Sequence, residues 1–143
     1  MKVDRVFVDT NILISGLIFP SGNQAALLEM ADRGLVDLVL SAHVICEARE
    51  VFAEKFAERT QVLEEFLSGA RYEIAAPPSA AGLLTAARLV RDSDDVAILG
   101  SIIESKPDVA LTGDKDLLTD EVRAVAPTCR CADYLAQRSE TND

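Results

Sequence analysis

Arg5-Val-Phe-Val-Asp-Thr-Asn-Ile-Leu13 decides how this chain folds. Its first half is a short apolar run that ends in an acid, the pattern of a buried strand. Thr10 or Asn11 is then placed to cap a helix over residues 12–17. Working outward, Pro20-Ser-Gly22 breaks the pattern. Residues 23–33 read as a helix with Ala26, Leu27, Met30 and Ala31 on one face, ended by Gly34. Residues 36–40 read as a second strand.

Ser41 opens a long helix to about residue 56, and another follows over 57–67, stopped by Ser68-Gly69. A third strand is expected over 71–75, then a rigid Pro77-Pro78 connection and a helix over 80–90. Arg91-Asp-Ser-Asp-Asp95 opens the next helix, to about 104. A fourth strand covers 108–112, Gly113-Asp114 turns out of it, 116–125 is helical or turn-like, and a short last strand falls near 128–131. The polar stretch 137–143 reads as a frayed tail. Strands alternating with helices imply an α/β fold: one domain over 1–136, with a mainly parallel sheet of four to five strands.

The composition sets limits. A chain of 143 residues holds one ordinary domain, and 49% apolar residues suffice for a core. No apolar run reaches the ~18 residues of a membrane span, and the N-terminal residues lack the regions of a signal peptide. A soluble, cytoplasmic protein with no membrane partner is expected. The three cysteines suggest no disulfide framework. Cys46 reads as a small core residue of a helix, and Cys129-x-Cys131 is weak as a metal motif. With His43 the one histidine, a His-rich zinc site is excluded and a Ser-His-Asp triad would have to use it. The net charge of −10 argues against nucleic acid as a partner, since phosphates attract positive charge. Even two divalent cations would offset less than half of it.

Most acids here need only solvent, but four do not fit that account. Glu47 lies three residues after Val44 and four before Val51, on or beside the buried stripe of its helix. Asp95 precedes Ile98, Leu99, Ile102 and Ile103 at helical spacing, so it points toward the core. Helix capping and the helix dipole suffice for Asp92 and Asp94 and explain Asp95 less well. Asp9 and Asp114 follow apolar runs at strand ends, where α/β sheets place their sites. Each alone is most simply a turn acid. Together, Asp9, Glu47, Asp95 and Asp114 come from four segments, and carboxylates brought close repel unless a cation neutralises them. Hard oxygen ligands favour Mg²⁺ or Mn²⁺, and the chemistry such a site performs is phosphodiester hydrolysis.

Phe7-Val-Asp-Thr-Asn-Ile-Leu13, Ser41 followed by Glu47, Asp92-Ser-Asp-Asp95 before a helix, and Leu111-Thr-Gly-Asp-Lys-Asp-Leu-Leu118 together resemble the PIN-domain family, in order and spacing, over about residues 4–118. The version here looks like the bacterial branch of toxin components from toxin–antitoxin systems. The resemblance implies a parallel sheet flanked by helices and a Mg²⁺- or Mn²⁺-dependent ribonuclease. By position it makes Asp9, Glu47, Asp95 and Asp114 the catalytic metal acids, with Asp116 a close alternative to Asp114. It makes Thr10, Asn11, Ser41 and Thr112 polar supports, Asn11 the best placed. It also implies RNA as substrate, an antitoxin protein as partner and a homodimer as one assembly. Ser93 stands where many relatives have proline, which leaves the chemistry untouched.

Of the cations that might guide RNA (Arg5, Arg49, Lys55, Arg59, Arg71, Lys115), most are read as solvated charges. Lys115 is the exception, because the Asp114 turn holds it near the site, within reach of a phosphate. Two other functions compete. The acidic charge suits a catalytically silent module that binds RNA or protein. A phospho-accepting receiver domain would want two acids after the first strand, where Asp9 is followed by Thr10 and Asn11.

Overall fold

The computed structural model describes residues 2–141. Five strands, β1 (Asp4–Val8), β2 (Val36–Leu40), β3 (Glu73–Ile74), β4 (Val109–Leu111) and β5 (Thr128–Cys129), form one sheet in the order β3-β2-β1-β4-β5. Every pairing is parallel. The expected α/β class therefore holds, and the sheet is wholly parallel. Val6, Phe7 and Val8 are fully buried, as a central strand covered by helices on both faces requires.

The chain runs from β1 outward to β2 and β3, then returns to the other side of β1 for β4 and β5. The direction of winding thus reverses between β1 and β4. A crevice opens at such a point beyond the carboxyl ends of the strands. Val8 pairs with Leu111, so Asp9 and Thr112 leave the sheet side by side.

Among the described residues, eight α-helices cover the sheet: α1 (Thr10–Ile18), α2 (Asn23–Asp32), α3 (Ala42–Lys55), α4 (Thr60–Gly69), α5 (Ala80–Leu89), α6 (Ser93–Ser105), α7 (Asp120–Arg123) and α8 (Cys131–Thr141). Gly34, at φ 76, takes the left-handed conformation that ends α2 and turns the chain into β2. Ser41 caps α3 by accepting from the Val44 amide at 3.1 Å. The α3 stripe is Val44, Ala48 and Phe52, all fully buried.

Several local expectations give way. Asp9, not Thr10 or Asn11, is the N-cap of α1. Cys46 is exposed, because two residues past Val44 is nearly the opposite side of a helix. Residues 57–59 form a 3₁₀ turn before α4, which runs on through Ser68 and Gly69. Strand β3 is two exposed residues at the sheet edge rather than five. Cys131 opens α8 instead of closing the last strand.

The expected tail is helical as far as Thr141, while Asn142 and Asp143 lie outside the described residues. Helix α8 is held by Tyr134, buried, whose hydroxyl donates to Asp4 Oδ2 at 2.8 Å. Arg138 also reaches Asp4, at 3.4 Å, with its guanidinium 5.8 Å from the Tyr134 ring centre.

Candidate metal centre

Asp9 stands in the crevice, buried although charged. Its backbone amide donates to the Leu111 carbonyl at 3.0 Å, which locks it to the neighbouring strand. Its two oxygens are engaged separately: Oδ1 accepts from the Thr10 amide at 2.6 Å and Oδ2 from the Thr112 hydroxyl at 2.7 Å. The Thr112 hydroxyl in turn accepts from the Asp114 amide at 3.0 Å. The turn after β4 therefore aims the Thr112 proton at Asp9.

The other acids arrive from the flanking helices and from that turn. Glu47 lies on α3, less than two turns past the Ser41 cap, and accepts from the Thr10 hydroxyl. Asp92 caps α6, accepting from the amides of Asp94 at 2.9 Å and Asp95 at 3.3 Å. Asp95, also buried, is thereby turned inward in the first helical turn. Asp114 opens a 3₁₀ turn and accepts from the Asp116 amide at 2.9 Å. One carboxylate oxygen from each of Asp95, Asp114 and Asp116 lies within 4.8 Å of the others.

Asp9, Glu47, Asp95, Asp114 and Asp116 line a single cleft of about 370 Å³, together with Thr10, Asn11, Asp92 and Asp94. Among the described residues, no lysine or arginine lines it. Burial, above all, raises the Asp9 carboxyl above its ordinary range. The bonds from Thr112 and Thr10 oppose that rise, and the charges of Glu47 and Asp114 add to it. Asp95 is pushed up to about 7, by burial first, then by a hydrogen bond shared with Asp114 and by the charges of Asp114, Asp92 and Asp116. Asp9 and Asp95 have little solvent, and among the described residues no lysine or arginine lines the cleft to balance them. An all-oxygen, carboxylate-rich donor set of this kind fits a hard divalent cation such as Mg²⁺ or Mn²⁺.

Roomier hollows lie elsewhere. One of about 620 Å³ borders Leu17, Leu28 and Phe66, and one of about 650 Å³ borders Tyr72 and Arg5. Neither gathers carboxylates beyond strand ends, so the smaller cleft is the candidate centre.

The supporting residues divide differently from the sequence expectation. Thr10 and Thr112 bond the carboxylates, whereas Asn11 is exposed on the rim. Ser41 does not line the cleft; it anchors the helix that carries Glu47. Lys115 is exposed and outside the lining. Arg5 is committed to Glu73 at 2.6 Å and Arg49 to Glu64 at 3.0 Å, while Arg59 donates to the Ile18 carbonyl at 3.4 Å. Sequence reasoning treated Asp92 and Asp94 as caps only, and both also face the cleft. It left out His43, whose Nε2 lies 3.1 Å from Asp94 Oδ1. The available signal was its spacing, four residues before Glu47 on one helix.

The PIN-domain family profile matches residues 5–116. No curated protein sequence matches the chain. Among solved structures, similar chains occur in FitAcB from Neisseria gonorrhoeae (19% identity, 89% of this chain and 98% of that one, TM-score 0.63) and in VapBC2 from Rickettsia felis bound to a promoter DNA fragment (17%, 80% and 91%, TM-score 0.60). Another is VapC20 from Mycobacterium tuberculosis, a toxin that cleaves the sarcin-ricin loop (18%, 87% and 98%, TM-score 0.56). At these identities the likeness is one of fold. Among the described residues, no helix is long and apolar enough to cross a membrane.

Proposed function

The chain belongs to the PIN-domain family, and from that premise we propose that it is a metal-dependent ribonuclease, the toxin of a toxin–antitoxin pair. The observation that carries this reading is the convergence of Asp9, Glu47, Asp95, Asp114 and Asp116 on one cleft at the switch point of the sheet. In this proposal Asp9, Glu47, Asp95 and Asp114 hold Mg²⁺ or Mn²⁺, with Asp116 able to replace or assist Asp114. When bound, such a cation supplies positive charge at the scissile phosphate and activates water.

The chain's own residues prepare that state. Thr112 and the Thr10 amide fix the two Asp9 oxygens so that their remaining lone pairs face the cleft. The Thr10 hydroxyl does the same for Glu47. One threonine thus sets the acids of β1 and α3 relative to each other, which makes the site less dependent on loop motion. Exposed Lys115, beside Asp114, would meet a phosphate at the mouth. The acidic charge suits a basic antitoxin over the cleft. A homodimer would set two clefts on a shared groove for RNA.

Two observations favour a second reading, a catalytically silent binding module: no cationic side chain lines the cleft among the described residues, and the net charge is −10. Cleavage of a mixed RNA pool in Mg²⁺, Mn²⁺ or EDTA, comparing wild type with Asp9→Asn, separates the two. The nuclease predicts metal-dependent cuts that Asp9→Asn loses while keeping its fold. Full activity in that variant rejects the assignment, and RNA binding without turnover in any metal supports the silent module.

A further inference from the structure

His43 lies one turn before Glu47 on α3, and residues at that spacing share a helix face. Facing them, Asp94 sits in the first turn of α6, and Nε2 of His43 is 3.1 Å from its Oδ1. One ligand atom from each of His43, Glu47 and Asp94 lies within 4.8 Å of the other two. The His43 Nε2 atom is sealed from solvent and, among the described residues, has no hydrogen-bond partner, since its approach to Asp94 is close but poorly aligned. A sealed nitrogen without a partner is costly, and native structures rarely leave one unexplained. The ring is partly exposed, yet its Nε2 lies against Asp94.

Ligand geometry accounts for the arrangement. Metal–nitrogen and metal–oxygen bonds of about 2.1 Å set adjacent ligands roughly 3 Å apart and opposite ones roughly 4.2 Å apart. The His43–Asp94 separation matches an adjacent pair, and the spread of the three atoms closes on one ion with little movement. One imidazole with two carboxylates differs from the all-oxygen cleft beside it. Imidazole suits Zn²⁺ and its neighbours, whereas Mg²⁺ prefers oxygen.

We propose that His43, Glu47 and Asp94 form a second cation site on the flank of the carboxylate cleft, selective for a transition ion of the Zn²⁺ class over Mg²⁺. Glu47 and Asp94 also border the main cleft, so they join the two sites, and an ion in one alters the charge felt in the other. The site rests on the reading of the cleft as a metal centre through Glu47 and Asp94, which border it; His43 brings a ligand of its own.

The chain has one histidine, so its imidazole nitrogens are the only ones in a ¹⁵N NMR spectrum and need no assignment. Zn²⁺ and Mg²⁺ are titrated separately into the metal-free protein at neutral pH, with a thermal melt at each end point. The expected result is a saturable Zn²⁺-induced shift of Nε2 that Mg²⁺ does not produce. Asp94→Asn, a change at an exposed side chain, should weaken that shift at least about tenfold, since even partners behind the ligands are worth that much. Asp95→Asn should weaken it less. An Nε2 signal indifferent to Zn²⁺, in a protein that Mg²⁺ still stabilises against heat, overturns the flank site and leaves the main cleft standing. A Zn²⁺ shift of undiminished affinity in Asp94→Asn overturns it too. If neither ion changes the melt or the signal, both sites are refuted.

Discussion

Replacing Asp95 with asparagine should make the metal-free protein more stable, although the substitution removes a charge from a favourable position at the start of α6. Two effects oppose each other. The carboxylate at a helix N-terminus contributes about 0.3–1 kcal/mol through the helix dipole. Against that, Asp95 titrates at about 7 instead of 3.8, because it is buried beside Asp114, Asp92 and Asp116. A displacement of that size corresponds to a ceiling of about 4 kcal/mol against folding once the group is ionised. Solvent reaching the open cleft lowers the net figure, and about 1–3 kcal/mol in favour of Asp95→Asn is expected, or roughly 3–10 °C in Tm.

The pH dependence carries the sign. Between pH 3.8 and about 7 the folded state holds a proton on Asp95 that the unfolded chain has released. Wild-type stability therefore falls as pH rises through that window and levels off above it. Asp95→Asn escapes this loss, so the two proteins should converge near pH 4 and diverge by pH 8. Thermal melts in EDTA across that range measure the difference. Mn²⁺ at about a thousand times its Kd should reverse the order, because it adds about 4.1 kcal/mol to the protein that binds it. If Asp95→Asn were the less stable protein in EDTA at pH 8, Asp95 would be a structural helix acid and the account of cleft repulsion would be wrong.

Thr112→Val keeps the side-chain shape and removes the proton given to Asp9, so Mn²⁺ affinity by calorimetry should drop about 10–100-fold; unchanged affinity would show that Asp9 needs no such orientation. Lys106 ends α6 at φ 48, a conformation that costs a side-chain-bearing residue about 1 kcal/mol, and Lys106→Gly should raise the urea midpoint by an equivalent amount. Tyr134→Phe should cost about 1 kcal/mol and speed amide exchange selectively in α8; uniform exchange would mean that the Asp4 bond does not hold the helix.

The central strand and the acids that line the cleft were legible because each sets two local rules against each other. Val6-Phe-Val8 is too apolar for a surface, and Asp95 is a charge on a face otherwise made of isoleucine and leucine. Such conflicts can be read from spacing alone. What escaped was fixed by tertiary geometry. Which of Thr10 and Asn11 reaches an acid depends on how α1 lies against α3, and only Thr10 meets Glu47. Helix α8 has a sparse apolar stripe, and its anchor, Asp4, is 130 residues from Tyr134 in the chain. A lone histidine such as His43 implies no site in sequence, and its neighbour Asp94 lies on another helix. The α3 stripe of Val44, Ala48 and Phe52 already determines that Cys46 points outward.

The bond from Tyr134 to Asp4 also settles where the chain can be held. Asp4 begins the strand whose far end delivers Asp9, and four residues of strand span roughly 13 Å. Helix α8 closes on that starting edge, so the first and last described segments meet on the side of the sheet away from the acids. Tethering the protein there by either segment, to a resin, a sensor surface or a fused domain, leaves the acidic mouth turned outward. Immobilised protein should therefore still present its cleft to ions and to large molecules in solution.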